Sequence, residues 1–335
     1  MTDLPGHLAE APTWSSALAW WRGRDDPAVV TGTTTWSGAE LMARSAGAAA
    51  HLRAVTERDC PVPALLSSTP AAVAYVVAGS DCGRPLAPLG PRLTVNELGP
   101  CIDGLGSDVL LTELAFLPLA EQLARRRAQR VVVVGDPAPA DRPLALDPDP
   151  EAIAFVLHTS GTTGVPKAVP YRQGRLAERT RVNTGLCGLG PGCVYASASP
   201  FHHIAGFGNT AVALAAGATV APVPRFTVEA WTALADLHVT HALTVPTMLE
   251  ILLDAGVLAL PELRTLQYGG SPIHPATLQR LLAAVPGVDL VNIFGQTEGS
   301  PITCLTPDDH RRIASEGRTD LLESVGRPAP GIEVR

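Results

Sequence analysis

EAIAFVLHTSGTTGVPK, at residues 151–167, runs from a short apolar stretch directly into a polar turn that contains two glycines. Residues 152–158 predict a buried strand, since strands covered on both faces of a parallel sheet read as continuous apolar runs. Similar runs alternate with helical patterns on both sides of this segment, as at 131–134 before it and 219–222 after it. The alternation predicts an α/β fold with right-handed crossover connections.

The length of the chain predicts two lobes, because single domains usually contain roughly 100–200 residues. Residues 135–150, GDPAPADRPLALDPDP, are rich in proline and aspartate and are interpreted as the connector. We therefore predict a first α/β subdomain over 1–150, connector included, and a second over 151–335. In the first subdomain a helix is predicted to begin near Ser37, with Glu40 completing a capping box.

The turn after the predicted strand has the composition of an anion-binding loop. Its glycines permit positive φ values, so that successive N–H groups can converge on phosphate oxygens. Its hydroxyl groups add hydrogen-bond donors, and its lysine adds a mobile positive charge. The residues concerned are Ser160, Gly161, Thr162, Thr163, Gly164 and Lys167.

This loop differs from the phosphate loop of P-loop NTPases. A Walker A motif has four residues between its glycines and a lysine directly after the second one. Here Lys167 follows Pro166, and no serine or threonine follows the lysine. A P-loop NTPase is therefore disfavoured, while a plain polar hairpin stays open as an alternative on GTTG alone.

Composition and charge argue against several other classes of protein. The chain is 46% hydrophobic and 17% charged, which is typical of a folded globular protein rather than a disordered one. Its net charge of −7 argues against binding nucleic acid through phosphate contacts. The six cysteines form no C-x-x-C pair, so we expect neither a disulfide framework nor a structural zinc site. With no leader and no apolar run of bilayer length, we expect a cytoplasmic protein without a membrane span.

Several ordered motifs resemble those of the adenylate-forming superfamily, which includes acyl- and aryl-CoA ligases, adenylation domains and luciferases. Residues 159–167, TSGTTGVPK, resemble its phosphate loop, and 200–206, PFHHIAG, resemble its second core motif. Residues 268–272, YGGSP, look like its GGAP element, and 292–298, NIFGQTE, look like its Y-G-x-T-E motif. Residues 324–328, SVGRP, match the G-x-P stretch that follows. The resemblance implies two Rossmann-like αβα lobes with mostly parallel sheets.

The resemblance also implies a reaction, namely the activation of a carboxylic acid by ATP to acyl-AMP, followed by thioester formation with CoA. Lys167, His203, Thr297 and Glu298 are implied to be catalytic. Mg²⁺ is implied to bind at Glu298 and Thr159. The implied ATP-binding residues are Thr159, Ser160, Gly161, Thr162, Thr163, Gly164, Lys167, Gly269, Gly270, Ser271, Phe294, Gly295, Gln296 and Thr297.

Some positions depart from the family pattern or narrow the substrate. His202 replaces the usual aromatic residue, and Phe294 replaces the usual tyrosine, which keeps a ring but loses the hydroxyl. Residues 201–204, FHHI, contain no carboxylate that could hold an ammonium group, so an α-amino acid substrate is disfavoured. No charged residue marks the segments expected around the acid, which favours an apolar or aromatic acid.

The family continues into a small C-terminal lid domain that carries a further lysine, and this domain has no counterpart here. We therefore expect a truncated N-terminal core that binds ATP but turns over slowly by itself. Two alternatives stay open. One is an acyl-AMP ligase that loads a carrier protein, and the other is a non-catalytic nucleotide-binding relic. The sequence predicts neither the identity of the acid nor the oligomeric state.

Overall fold

Two β-sheets organise the chain in the computed structural model, which describes residues 4–127, 129–159 and 166–334. The strands, numbered in chain order, are β1 (Pro27–Val30), β2 (Thr35–Ser37), β3 (Val62–Leu65), β4 (Leu86–Pro88), β5 (Val109–Thr112), β6 (Arg130–Val133), β7 (Ile153–Thr159), β8 (Lys167–Arg172), β9 (Val194–Ser197), β10 (Thr219–Pro222), β11 (His241–Thr244), β12 (Thr265–Gly269), β13 (Asp289–Gln296), β14 (Gly299–Leu305) and β15 (Arg327–Pro328).

Helices connect most of these strands. They are α1 (Gly6–Ala9), α2 (Trp14–Ala17), α3 (Gly38–Val55), α4 (Pro70–Asp81), α5 (Val95–Asp103), α6 (Leu117–Arg125), α7 (Gln173–Cys187), α8 (Asn209–Ala215), α9 (Val228–Thr232), α10 (Pro246–Asp254), α11 (Pro275–Ala284) and α12 (Pro307–Glu316). A π-helical turn, Ile204–Gly208, precedes α8. Among the helices described, none has the length and apolar character needed to cross a membrane.

Both sheets are parallel at their centres. The larger sheet is antiparallel at both edges, whereas the smaller is antiparallel only at its β8 edge. The larger sheet has the strand order β15-β14-β13-β12-β11-β9-β10-β1-β2, and the smaller has the order β6-β5-β3-β4-β7-β8. Antiparallel pairs are β1 with β2, β7 with β8, β13 with β14 and β14 with β15. The predicted α/β class with mostly parallel sheets is confirmed.

The two sheets exchange strands between the two halves of the chain. Strands β1 and β2 come from the first 150 residues but join the larger sheet, where Val29 pairs with Val220. Strands β7 and β8 come after residue 150 but join the smaller sheet, where Phe155 pairs with Leu86. The predicted division at 150/151 therefore does not coincide with the division between sheets, because long-range pairing decides sheet membership.

The long helix α3 begins where its capping signal predicts. The Ser37 hydroxyl accepts a hydrogen bond from the Glu40 N–H, which satisfies one of the free donors at the helix N-terminus. The Glu40 carboxylate does not return the bond of a full capping box and instead pairs with Arg44. The residue before the cap, Trp36, belongs to strand β2 rather than to the helix.

A shared apolar core lies between the two sheets and fixes the chain near the predicted motifs. The Phe207 ring, in the turn before α8, meets the Phe155 ring of β7 edge-on at 4.5 Å and the Phe201 ring at 5.0 Å. All three rings are buried. Because burying such a side chain contributes about 1.5–3 kcal/mol, this contact holds the segment around residue 203 against β7.

Candidate active site

The carboxyl ends of the parallel strands open onto one cavity of about 420 Å³, here called the central cavity. Ligands of α/β proteins usually bind outside this edge of the sheet. The side chains and backbone around it come from segments far apart in sequence. Its lining residues are Thr159, Ser199, Pro200, His203, Ile204, Ala205, Val245, Gly270, Gly295, Gln296, Thr297 and Glu298.

The predicted phosphate loop lies mostly outside the described residues, which include neither Ser160, Gly161, Thr162, Thr163 nor Gly164. Its two ends are described. Thr159 is the last residue of β7, Lys167 is the first residue of β8, and the two are opposite each other in the antiparallel pair. Lys167 is exposed. The antiparallel pairing of β7 with β8 therefore extends to Thr159, which lines the central cavity.

A second hairpin, β13–β14, carries Thr297 and Glu298 in its turn, with Gln296 paired to Gly299. The hydroxyl of Tyr171, on β8, donates a hydrogen bond to the carbonyl of Thr297. Burial raises the pKa of Tyr171 to about 12, so the hydroxyl remains a donor at neutral pH. This bond ties the two hairpins together at the cavity.

The segments 269–273, 292–295 and 322–325 form an outer slot of about 220 Å³ beside the central cavity. A Cβ atom at Gly269 would lie 2.3 Å from the carbonyl oxygen of Ile293, so only glycine permits this close approach of two strands. The Phe294 ring is 48% exposed, which leaves a flat apolar face beside the slot. The predicted adenine-site residues Gly270, Ser271 and Gly295 also line it.

Two adjacent histidines separate the central cavity from a second cavity of about 760 Å³. His203 lines the central cavity and His202 lines the second one, with their ring centroids 4.1 Å apart. Burial, followed by the charges of His203 and Arg92, lowers the pKa of His202 to about 3. Burial also lowers the pKa of His203. Both rings are therefore neutral at neutral pH, and each can donate one hydrogen bond and accept another.

The backbone around His203 is arranged by a tight turn rather than by a regular helix start. The chain first forms the π-helical turn and becomes a regular helix only at Asn209. A Cβ atom at Gly206 would lie 2.3 Å from the carbonyl oxygen of Pro200, so glycine is required where the turn closes on itself. This geometry directs the His203 side chain to the central cavity.

Arg179, on α7, is a site residue that sequence reasoning missed. It lines an inner pocket of about 50 Å³ that opens from the central cavity, and it is only 9% exposed. The segments expected around the acid contain no charged residue, but this buried arginine from another element lines the adjoining pocket. The signal was hidden because α7 carries none of the motifs, and helix packing alone brings its face to the cavity.

The three spaces adjoin one another. The outer slot, the central cavity and the inner pocket are all lined by Gly270 and Gly295, where β12 and β13 end. The predicted residues Thr159, His203 and Glu298 reach the central one of the three spaces. The arrangement can therefore hold an elongated ligand with a flat end, a charged middle and a short tail.

Comparison with known proteins supports a single family. The model of the AMP-binding enzyme family matches residues 19–335. The fatty acid–[acyl-carrier-protein] ligase ScoC of Streptomyces coeruleorubidus is 30% identical over 266 residues, which cover 75% of this chain and 50% of that protein. The indoleacetate–CoA ligase of Aromatoleum aromaticum is 30% identical over 302 residues, or 84% of this chain and 57% of that protein. The chain thus spans a little over half the length of these curated relatives.

Solved structures agree with this assignment. The amide bond synthetase McbA from Marinactinospora thermotolerans superposes with a TM-score of 0.84 and 27% identity, covering 96% of this chain and 66% of that one. The o-succinylbenzoate CoA synthetase MenE from Bacillus subtilis, in complex with AMP, gives a TM-score of 0.80 at 24% identity. That alignment covers 96% of this chain and 65% of MenE, and it shows the shared fold.

Proposed function

The chain belongs to the AMP-binding enzyme family, and on that premise we propose that it is the ATP-binding part of a ligase that activates a carboxylic acid. The acid would be joined to AMP and its acyl group then passed to the thiol of CoA. The observation that supports this most strongly is the junction of the outer slot, the central cavity and the inner pocket at Gly270 and Gly295. An acyl-adenylate has its parts in the same order. Its base would lie in the outer slot, its phosphate in the central cavity and its acyl tail in the inner pocket.

In the first proposed step, a carboxylate oxygen of the acid attacks the α-phosphorus of ATP. The new O–P bond forms as the bond to the β-phosphate breaks, and pyrophosphate leaves. The protein would contribute by positioning the acid and ATP and by neutralising the charge on the phosphates. Thr297 would donate its hydroxyl to the α-phosphate, and Lys167 would supply positive charge near the leaving group. The neutral ring of His203 would donate a hydrogen bond to the acid.

The residues of the central cavity fit a magnesium ion. Glu298 offers a carboxylate and Thr159 offers a hydroxyl, and Mg²⁺ prefers oxygen ligands of this kind. Within the described ranges, no group of three or more His, Cys, Asp and Glu side chains is placed to hold a metal. Phosphate oxygens and waters would therefore complete the coordination, as is usual for Mg²⁺. When bound, the ion neutralises charge on the phosphates.

In the second proposed step, the sulfur of the acceptor attacks the acyl carbonyl carbon. The C–O bond to the phosphate breaks, AMP leaves, and the thiol proton passes to solvent. We propose CoA as the acceptor. A carrier protein is the second candidate, because the relative ScoC is named as a ligase of an acyl-carrier protein.

The proposal is tested by acid-dependent exchange of pyrophosphate into ATP, using a panel of carboxylic acids. The same acids are then offered with CoA or with a phosphopantetheinyl carrier protein, and thioester is measured. Exchange that depends on an added acid supports acid activation, and the acceptor that gives thioester decides between the candidates. Absence of exchange together with absence of Mg·ATP binding would favour a non-catalytic relic.

A further inference from the structure

We propose that the acid bound by this chain is a short one that carries a second, anionic group, which pairs with Arg179. This inference rests on the proposed function, because it treats the inner pocket as the place of the acyl tail. It replaces the apolar or aromatic acid that the sequence favours with a short dicarboxylic acid or a close analogue.

The first observation is a buried charge without a counterion. Arg179 is 9% exposed, and among the ion pairs of the described residues none includes it. Burial of an ion away from water is costly unless it is paired and hydrogen-bonded. Burial also lowers the pKa of Arg179 below the ordinary arginine value, although a guanidinium stays protonated in proteins.

The ionisable groups whose charged forms would raise the pKa of Arg179 are neutral at neutral pH. They are Tyr171, Tyr195 and Cys187. Burial raises the pKa of Tyr171 to about 12 and that of Cys187 to about 12. Burial raises the pKa of Tyr195 still further. None of the three can therefore serve as the missing anion.

The hydrogen bonds of Arg179 fix its guanidinium on neutral acceptors. Nε donates to the carbonyl of Ser300 at 3.0 Å, and Nη1 donates to the carbonyl of Gly208 at 3.1 Å. Nη2 donates to Oδ1 of Asn209 at 2.8 Å. These bonds use three of the five N–H donors of the guanidinium. They fix the orientation of the planar group, and the donors that remain are suited to bind a carboxylate.

The pocket itself limits the size of the tail. Its volume of about 50 Å³ is small compared with that of the central cavity, and both polar and apolar groups line it. Gln267 and Asn209 add buried amides, while Leu243 and Ile293 add apolar walls. Because a single water molecule needs roughly 10–15 Å³ of such a cavity, only a few heavy atoms of the tail fit beside Arg179.

The test uses non-hydrolysable acyl-adenylate mimics that differ only at the end of the tail. Succinyl, succinamoyl and butanoyl 5′-O-sulfamoyladenosine present a carboxylate, a neutral amide and a methyl group respectively. Binding to the chain is measured by isothermal titration calorimetry. We expect the carboxylate form to bind at least about tenfold more tightly than either neutral form, as a charge-assisted bidentate bond should provide.

Variants at position 179 test whether Arg179 causes the preference for the carboxylate mimic. Arg179→Met should lower affinity for the succinyl form by at least about tenfold and leave the butanoyl form within about threefold, since the butanoyl tail makes no charge pair that the variant could lose. Arg179→Lys should keep part of the preference for the anion. Arg175→Met, one turn earlier on α7, is the matched control, because Arg175 is exposed and pairs with Glu178.

The outcomes separate this inference from the proposed function. Equal binding of the three mimics, or preference for a neutral one, overturns the inference and leaves the proposed function standing. Failure of every mimic to bind overturns both. If Arg179→Met does not fold, the comparison of mimics on the unaltered chain and on Arg179→Lys still decides.

Discussion

At the scale of single residues, His202 is expected to make the protein sensitive to acid. Its pKa is about 3 in the folded chain and 6.5 in an ordinary setting, so the unfolded state binds more protons between these values. The contribution of His202 to the free energy of unfolding is therefore fully present above pH 6.5, and it is lost as the pH is lowered towards 3. Replacing the ring with an apolar one of similar shape removes this contribution.

The corresponding variant is His202→Phe, which restores the aromatic residue usual at this position. The urea midpoint of the variant should fall less between pH 7 and pH 4.5 than that of the unaltered chain. Other buried histidines, such as His241 with a pKa of about 4, keep part of the acid sensitivity. An unchanged fall in the variant would contradict the account of His202.

We expect the Glu298 carboxylate to be required for tight binding of ATP together with Mg²⁺. Glu298→Ala removes a carboxylate at the turn of the β13–β14 hairpin, and we expect the Kd for Mg·ATP to rise at least about tenfold. Because Glu298 is exposed, the melting temperature without nucleotide should change little. Thermal shift with Mg·ATP is the measurement. Glu121→Ala, on the exposed face of α6, is the control, and an equal loss in both variants would contradict the assignment.

At the scale of elements, Tyr171 links the two hairpins that border the central cavity. Tyr171→Phe keeps the ring that stacks on Phe155 at 4.7 Å but removes the hydroxyl bonded to Thr297. We expect a loss of about 0.5–1.5 kcal/mol in unfolding free energy. The turn that carries Thr297 should loosen as well, so the Kd for Mg·ATP should rise about three- to tenfold.

Tyr75→Phe is the matched control for this change. It also removes a hydroxyl from a hydrogen bond, in this case with His51, far from the cavity. Its unfolding free energy should fall, while its affinity for Mg·ATP should stay the same. If the two variants behave alike in calorimetric titrations with Mg·ATP, the link between the hairpins does not position the site.

The elements that could be predicted are those with strong local signals. Helices α10 and α11 begin at Pro246 and Pro275, where proline at the first turn and the apolar spacing agree. Strand β10 coincides with the apolar run noted at 219–222. Strand β8 was missed, since its sequence KAVPYR is half exposed and contains a proline, and only pairing with β7 makes it a strand. Strands β1 and β2 were missed as well, since both are short and join the larger sheet only through the distant pairing of β1 with β10.

At the scale of the whole molecule, a buried polar cluster joins distant parts of the chain. Gln173, fully buried at the start of α7, accepts a hydrogen bond from the Ser15 N–H and donates one to the Ser80 hydroxyl. Gln173→Leu would leave these buried groups unsatisfied, at a cost of about 2–4 kcal/mol. Because strands of both halves share the sheets, circular dichroism and tryptophan fluorescence should report one coincident unfolding transition at a lower urea midpoint.

The control for Gln173→Leu is Gln279→Leu, which changes an exposed glutamine on α11. It should leave the urea midpoint nearly unchanged. Two separate transitions in the unaltered chain would contradict the shared core. Most residues that line the central cavity belong to the short motifs seen in the sequence, whereas Ser199 and Val245 lie outside them. The sequence could not predict Arg179, since a buried arginine on a helix has no local signature and only the packing of α7 on the hairpin reveals it.

The most direct test of the central claim is a crystal structure of the chain with an acyl sulfamoyladenosine. The account predicts adenine in the outer slot beside Phe294, the sulfamoyl group beside Thr297 in the central cavity, and the acyl tail directed past His203 towards Arg179. A ligand found in any other cavity, or in the reverse orientation, would contradict it.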